Sequence, residues 1–285
     1  MDPRAAHAAD KPPKPLTEPT ESFGFRRVSA GDKPRLVGKV FDSVASRYDI
    51  MNDFMSGGLH RLWKAELIWR MRPAPGRHLV DVAGGTGDIA TAYLAHAAKV
   101  AAKVAKKNEA KVGKKSGPNA GPARATIIDI NQAMIETGRD RAIDRGQIKG
   151  IDWTVGDATA LPLNNSVADQ YSIAFGIRNV TGIETALTEA YRILKPGGQF
   201  YCLEFGPMPR SPLKPLYEFY SFNIVPMIGQ IVASDGDAYR YLVESIRRFP
   251  NATRFQAMIE EAGFSQVRSR PMSGGIVNLF SAWRL

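Results

Sequence analysis

Apolar residues recur at two different periods along this chain, and the change of period marks its organisation. From about residue 35 to 72 the spacing is helical: Val37, Val40, Phe41, Val44 and Ala45, then Leu59, Leu62, Trp63 and Leu67. A Ser56-Gly57-Gly58 break divides that stretch. Beyond it, short apolar runs alternate with helical segments. Residues 78–82 predict a buried strand that ends in a glycine-rich turn, and 89–104 a helix. Further strands are predicted at 126–130, 153–155, 171–175 and 199–205, with helices at 131–145 and 183–194, the last stopped by Lys195-Pro196-Gly197-Gly198. Asn251 is placed to cap a helix over 251–262 that Gly263 stops, and 267–270 and 276–283 predict two last strands.

This alternation predicts an α/β fold with a mostly parallel sheet covered by helices on both faces. Two stretches depart from it. Residues 1–35 hold Pro12, Pro13, Pro15 and Pro19 with almost no apolar periodicity, and predict a disordered arm. Residues 207–249 carry aromatics and prolines and predict irregular structure.

Composition excludes several classes. With 44% hydrophobic and 23% charged residues over 285, neither wholesale disorder nor a collagen-like repeat fits. The single cysteine, Cys202, forms no intramolecular disulfide and points to a reducing compartment. No window holds 18 consecutive apolar residues, so a transmembrane helix is not expected; the N-terminus lacks an apolar core segment, so a secretory leader is not expected either, and a cytoplasmic location is. No ligand set for a metal is predicted.

The net charge of +10 is unevenly placed. Residues 1–40 hold eight basic and five acidic residues, and residues 99–124 hold eight basic against Glu109 alone. The remainder is balanced at 22 of each, so a nucleic-acid partner is not expected. The Lys/Ala stretch reads foremost as a solubilising segment, with attraction to anionic lipid as the functional alternative.

Chemistry concentrates at the predicted strand ends. Asp81-Val82-Ala83-Gly84-Gly85-Thr86-Gly87-Asp88 joins a strand to a helix, as a nucleotide-binding turn does. A dinucleotide and S-adenosylmethionine compete for it. Asp81 would face the ammonium and sulfonium of the latter favourably and a pyrophosphate unfavourably. Asp88 stands where a pyrophosphate needs room. Asp129 suits a ribose diol, and Asp157 with Ala158 an adenine amino group.

With these, the chain resembles class I S-adenosylmethionine-dependent methyltransferases, of Rossmann-like fold with a seven-stranded sheet. Two longer motifs narrow the resemblance. Tyr48-Asp49-Ile50-Met51-Asn52 with Ser56, His60 and Trp63 is one; the other is Phe175-Gly176-Ile177-Arg178-Asn179-Val180 followed by Lys195-Pro196-Gly197-Gly198 and Leu203-Glu204-Phe205. Both resemble the ubiquinone/menaquinone biosynthesis C-methyltransferases over residues 36–285.

The resemblance implies one methyltransferase domain over 36–285. It would comprise an N-terminal helical lid at 36–76, an insertion at 99–124 and a substrate-side insertion at 207–249. It implies S-adenosylmethionine held by Asp81, Gly84, Gly85, Thr86, Gly87, Asp129, Asp157, Ala158 and Ala174. Tyr48, Met51 and Asn52 would form a lid, with His60 foremost a structural residue. Arg178 and Asn179 would act catalytically, the guanidinium stabilising a phenolate. The implied substrate is a polyprenylated benzoquinol or naphthoquinol, its tail seated along 219–229 or that segment touching the membrane. A homodimer or a biosynthetic complex stays open, as does peripheral contact at the inner face of the membrane. Three departures stand out: Gly206 where Ser is usual, Phe280 where His is expected, and Ala174 where some members carry Ser. Gly206 and Phe280 keep a non-catalytic cofactor-binding protein as an alternative; another small-molecule methyltransferase is a second, against which the two motifs weigh.

Overall fold

The computed structural model describes residues 20–29, 31–33, 35–38, 56, 58–109, 121–207 and 236–285. In chain order the strands are β1 (Thr20–Phe23), β2 (Arg26–Ser29), β3 (His78–Val82), β4 (Arg124–Asp129), β5 (Ile151–Val155), β6 (Ala168–Ala174), β7 (Leu194–Phe205), β8 (Ser265–Met272) and β9 (Val277–Arg284). The helices are α1 (Leu59–Met71), α2 (Asp88–Glu109), α3 (Gln132–Asp144), α4 (Ile183–Ile193), α5 (Gly236–Arg248) and α6 (Ala252–Glu261).

Seven strands form one sheet in the order β5-β4-β3-β6-β7-β9-β8. All neighbours from β5 to β7 are parallel; β9 runs antiparallel to both β7 and β8. This is the mostly parallel seven-stranded Rossmann-like sheet expected from the sequence. All five residues of β3 are buried, so both of its faces are covered. Alternate residues serve opposite faces. Val80, Tyr171, Phe200 and Cys202 pack with Leu187 of α4 and Phe255 of α6. Leu79, Ile127, Tyr201 and Leu203 pack with Trp63 and Leu67 of α1, Tyr93 of α2 and Leu242 of α5. The strand order reverses at β3, which pairs with β4 on one side and β6 on the other, so a crevice opens beyond their carboxyl ends.

The structure corrects the sequence reading in several places. Within the arm expected to be disordered, β1 and β2 pair as a hairpin. Phe23 supplies the reason, stacking on Tyr241 of α5 at 4.4 Å between centroids, while the Phe25 N–H donates to Glu244 at 3.0 Å. Within 207–249, expected to be irregular, residues 236–248 form α5. Its buried Tyr241, Leu242, Ser245 and Ile246 sit at helical spacing. Helix α2 runs to residue 109, through the start of the Lys/Ala stretch. Lys195-Pro196-Gly197-Gly198 lies inside β7 rather than before it, because Gly198 already pairs with Arg284 of β9.

Candidate active site

The turn after β3 is built by backbone constraints. Ala83 and Gly85 both take positive φ, 49° and 54°, and the Gly87 N–H closes the turn on the Gly84 carbonyl at 2.9 Å. At Gly85 this conformation costs little, because no Cβ is present. Its N–H donates to Asp129 Oδ2 at 2.8 Å, so the turn and the end of β4 fix each other.

A cavity opens here, beyond the carboxyl ends of β3, β4 and β6. Gly85, Asp129, Asp157, Ala158 and Asn179 line it, with Ile130, Met134 and Val180. Asp129 is held by two backbone donors, Gly85 at Oδ2 and Asn131 at Oδ1. Burial pushes its carboxyl above the usual value, against the pull of those two N–H groups. Each oxygen keeps lone-pair capacity for a diol. Asp157 Oδ1 accepts from both the N–H and the hydroxyl of Thr159, each at 2.8 Å, which fixes the carboxylate at the end of β5.

A smaller cavity adjoins the first, since Ala83, Gly85 and Phe175 line both. It is lined also by Lys64, Asp81, Gly84, Thr86, Asp88 and Ala174. Asp81 is fully buried. Its Oδ1 accepts from the Ser172 hydroxyl at 2.6 Å, and its Oδ2 has no partner. Burial is the main force pushing this carboxyl up to about 7; Asp88 adds to it, and Ser172 and Lys64 oppose it. An unpartnered buried carboxylate oxygen is costly unless a cation or donor completes it. The ammonium of an amino acid meets that need. Asp129 for a diol and Asp81 for an ammonium, one in each of two adjoining cavities, therefore fit S-adenosylmethionine.

The two residues expected to act on substrate part company. Asn179 lines the larger cavity, and the Tyr241 hydroxyl donates to its Oδ1 at 3.0 Å. Arg178, expected to face the methyl group, instead lines a separate cavity beside Tyr241 and Lys33. Its Nη1 donates to Glu204 Oε1 at 2.7 Å and also to the Phe175 carbonyl, and its side chain is 5% exposed. Glu204 is fully buried at the end of β7, and burial raises its carboxyl against the field of Arg178. The physical reason is proximity: β6 and β7 are parallel neighbours, so Glu204 comes to lie beside the turn that follows β6. This pairing holds Phe175, a non-glycine residue at φ 59°. Such a backbone persists only when its surroundings enforce it. Trp63 and Phe205, packed on the Phe175 ring, complete that enforcement.

The remaining predicted residues divide similarly. Gly87 lines neither cavity and packs against Ile127 and Trp153. His60 is buried on α1, its Nδ1 2.9 Å from the Ser56 hydroxyl, and lines an outer groove. Gly206 donates its N–H to the Ile276 carbonyl, and Phe280 packs in the core edge-on to Phe255; neither lines either cavity. Tyr48, Met51, Asn52 and the segment 219–229 lie outside the described residues. Sequence reasoning did not assign Lys64, Ile130, Met134, Val180 or Thr181 to the site. Local signals existed for Ile130, directly after the strand-end acid Asp129, and for Val180, inside the quoted F-G-x-R-N-V motif.

Comparison with known proteins agrees with this geometry. A model of the ubiE/COQ5 methyltransferase family matches residues 28–284. The chain is 48% identical over 264 residues to the ubiquinone/menaquinone biosynthesis C-methyltransferase UbiE of Zymomonas mobilis, covering 93% of this chain and 98% of that protein. It is 44% identical over 274 residues to the mitochondrial 2-methoxy-6-polyprenyl-1,4-benzoquinol methylase of Homo sapiens, covering 92% and 84%. Among solved structures, a methyltransferase from Thermotoga maritima described as S-adenosylmethionine-dependent superposes with TM-score 0.53 at 17% identity, covering 86% of this chain and all of that one. The [4+2]-cyclase SpnF superposes with TM-score 0.56 at 15% identity, covering 88% and 96%. The fold alone therefore does not fix the reaction.

Proposed function

Since the chain belongs to the ubiE/COQ5 methyltransferase family, we propose that it uses S-adenosylmethionine to methylate a ring carbon of a polyprenyl benzoquinol, a demethylmenaquinol or both. The observation that carries this reading is the pairing of Asp81 and Asp129 across two adjoining cavities, with the Asn179 amide in the wall. When bound, the cofactor supplies an electrophilic methyl group on sulfur. Asp81 receives the ammonium of its amino-acid end, Asp129 the ribose hydroxyls, and Asp157 with Ala158 the adenine.

A quinol carbon becomes nucleophilic when its neighbouring hydroxyl is deprotonated or strongly polarised. Of the F-G-x-R-N motif, Phe175, Gly176 and Asn179 line the cavity, and among these three Asn179 brings the polar side chain. Its Oδ1 is occupied by Tyr241, so its Nδ2 hydrogens serve the quinol oxygen. Arg178 acts through the loop: paired with Glu204, it holds Phe175 and Asn179 in register as a positioning residue. Gly206 and Phe280 lie away from both cavities, so these departures are compatible with turnover.

A polyprenyl tail partitions into lipid, so the substrate requires peripheral contact with a membrane. No helix among the described residues is long and apolar enough to cross one. Lys99, Lys103, Lys106 and Lys107 are exposed along one face of α2 and supply attraction to anionic lipid. The test is turnover of demethylated benzoquinol and naphthoquinol by the purified protein with S-adenosylmethionine. Mass spectrometry should show a product one methylene heavier. Failure with both substrates, despite cofactor binding, would contradict the reading.

A further inference from the structure

The amino-acid end of the cofactor site is electrostatically incomplete if only its acids are counted. Asp81 and Asp88 suit an ammonium and a sulfonium, but the same end of S-adenosylmethionine carries a carboxylate. A carboxylate removed from water needs a cation or several N–H donors. Among the described residues lining the smaller cavity, Lys64 is the one cation.

Its placement is built into α1. Trp63, the preceding residue, donates its indole N–H to the Ser273 hydroxyl at 2.9 Å and packs its ring against Phe175 and Phe205. Leu67 and Met71 are fully buried on the same helix. Lys64 is thus carried to the glycine turn by a packed helix rather than by a loose loop. Its Nζ stands 2.5 Å from Asp88 Oδ2; the lysine side chain is 16% exposed and that of Asp88 46%. The lysine is therefore largely withdrawn from water while its partner stays half open to it.

We propose that Lys64 binds the carboxylate of the cofactor's methionyl end, and that Asp88 holds the lysine ammonium in position for it. This rests on the S-adenosylmethionine reading of the site. Charge bookkeeping supports it. Asp81, Asp88 and Lys64 together carry one net negative charge when ionised. Ammonium, sulfonium and carboxylate together carry one net positive charge, so the occupied site is neutral. The proximity of all three side chains also shows in Asp81, whose carboxyl feels Asp88 and Lys64 with opposite sign.

The test separates the two ends of the ligand. Full-length protein is titrated calorimetrically with S-adenosylhomocysteine and, separately, with 5′-methylthioadenosine, which lacks the amino-acid carboxylate. Lys64→Gln should weaken the first roughly 10–100-fold, the range for a partly buried charge-assisted contact, and leave the second unchanged. Lys64→Arg should restore most of the affinity. Wild-type affinity for S-adenosylhomocysteine in Lys64→Gln would overturn the proposal. So would equal loss of both ligands, which marks a displaced helix rather than a lost contact. Wild-type protein that binds neither ligand would overturn the cofactor reading itself, and the role of the lysine with it.

Discussion

The hydroxyl of Tyr241 donates to Asn179 Oδ1 at 3.0 Å, joining residues 62 positions apart and tying α5 to the loop at the mouth of the cofactor cavity. The same tyrosine ring stacks on Phe23 of the N-terminal hairpin, and Lys33 donates to the Val180 carbonyl at 3.1 Å. Two segments remote from the loop in sequence therefore meet at residues 179–180, α5 through Tyr241 and the N-terminal segment through Lys33. The tyrosine is fixed as a donor, since burial pushes its hydroxyl up to about 12.

Removing that donor should impair orientation rather than binding. Tyr241→Phe keeps the stack on Phe23 and deletes one hydrogen bond, which is worth about 0.5–1.5 kcal/mol. The expected result is a kcat lowered about 2–10-fold with S-adenosylmethionine affinity unchanged. Steady-state kinetics beside calorimetry checks it; equal effects on kcat and cofactor affinity would count against a positioning role.

The Arg178–Glu204 pair should behave as a buried structural charge pair. Glu204→Gln leaves the guanidinium uncompensated and should lower stability by roughly 3–5 kcal/mol. The double change Arg178→Met with Glu204→Leu should recover much of that loss while leaving turnover low, because the loop loses its anchor. Urea unfolding followed by circular dichroism measures both.

Asp81 should couple cofactor binding to pH. Its folded-state carboxyl lies at about 7, above its ordinary value of 3.8. Between those two values the folded protein binds the proton and the unfolded chain does not, so this group's contribution to stability falls as pH rises through that window. Cofactor-free Asp81→Asn protein should therefore gain stability relative to wild type as pH rises from 5 to 8. A bound ammonium favours the ionised carboxylate, so wild-type affinity should rise from pH 5 to about 7. Binding at pH 6 should release protons. Calorimetry in two buffers of different ionisation enthalpy reads that release, and its absence would contradict the assignment of Asp81.

Gly87 should prove a folding residue. A Cβ there would stand 2.7 Å from both Ile127 and Trp153, on a backbone at φ 79°. Gly87→Ala should cost about 1–3 kcal/mol by overpacking and left-handed strain. Thermal unfolding of the cofactor-free protein should show the full loss.

The sheet was legible because β3, β4 and β6 bury nearly all of their residues, and such strands read as continuous apolar runs. The strand-end acids were legible because the glycine turn indexes them. The hairpin was not, because Phe23 and Val28 stand among prolines and charges and find their partner only in Tyr241. Helix α5 was not, because its buried residues alternate with charged ones and follow an aromatic, proline-bearing stretch. The roles of Lys64 and Tyr241 were not legible either: each acts on a residue that only the fold brings near. Arg178 shows the complementary failure. Its motif marked it as important, but the direction of its side chain depended on Glu204, one strand away.

The central claim is carbon methylation of a quinol, and the position of the transferred methyl group tests it most directly. The protein would be given S-adenosylmethionine labelled with ¹³C in the methyl group, together with a demethylated polyprenyl quinol, and the product examined by NMR. The account predicts the label as a methyl resonance on a ring carbon. A methoxy resonance, or product without label, would contradict it.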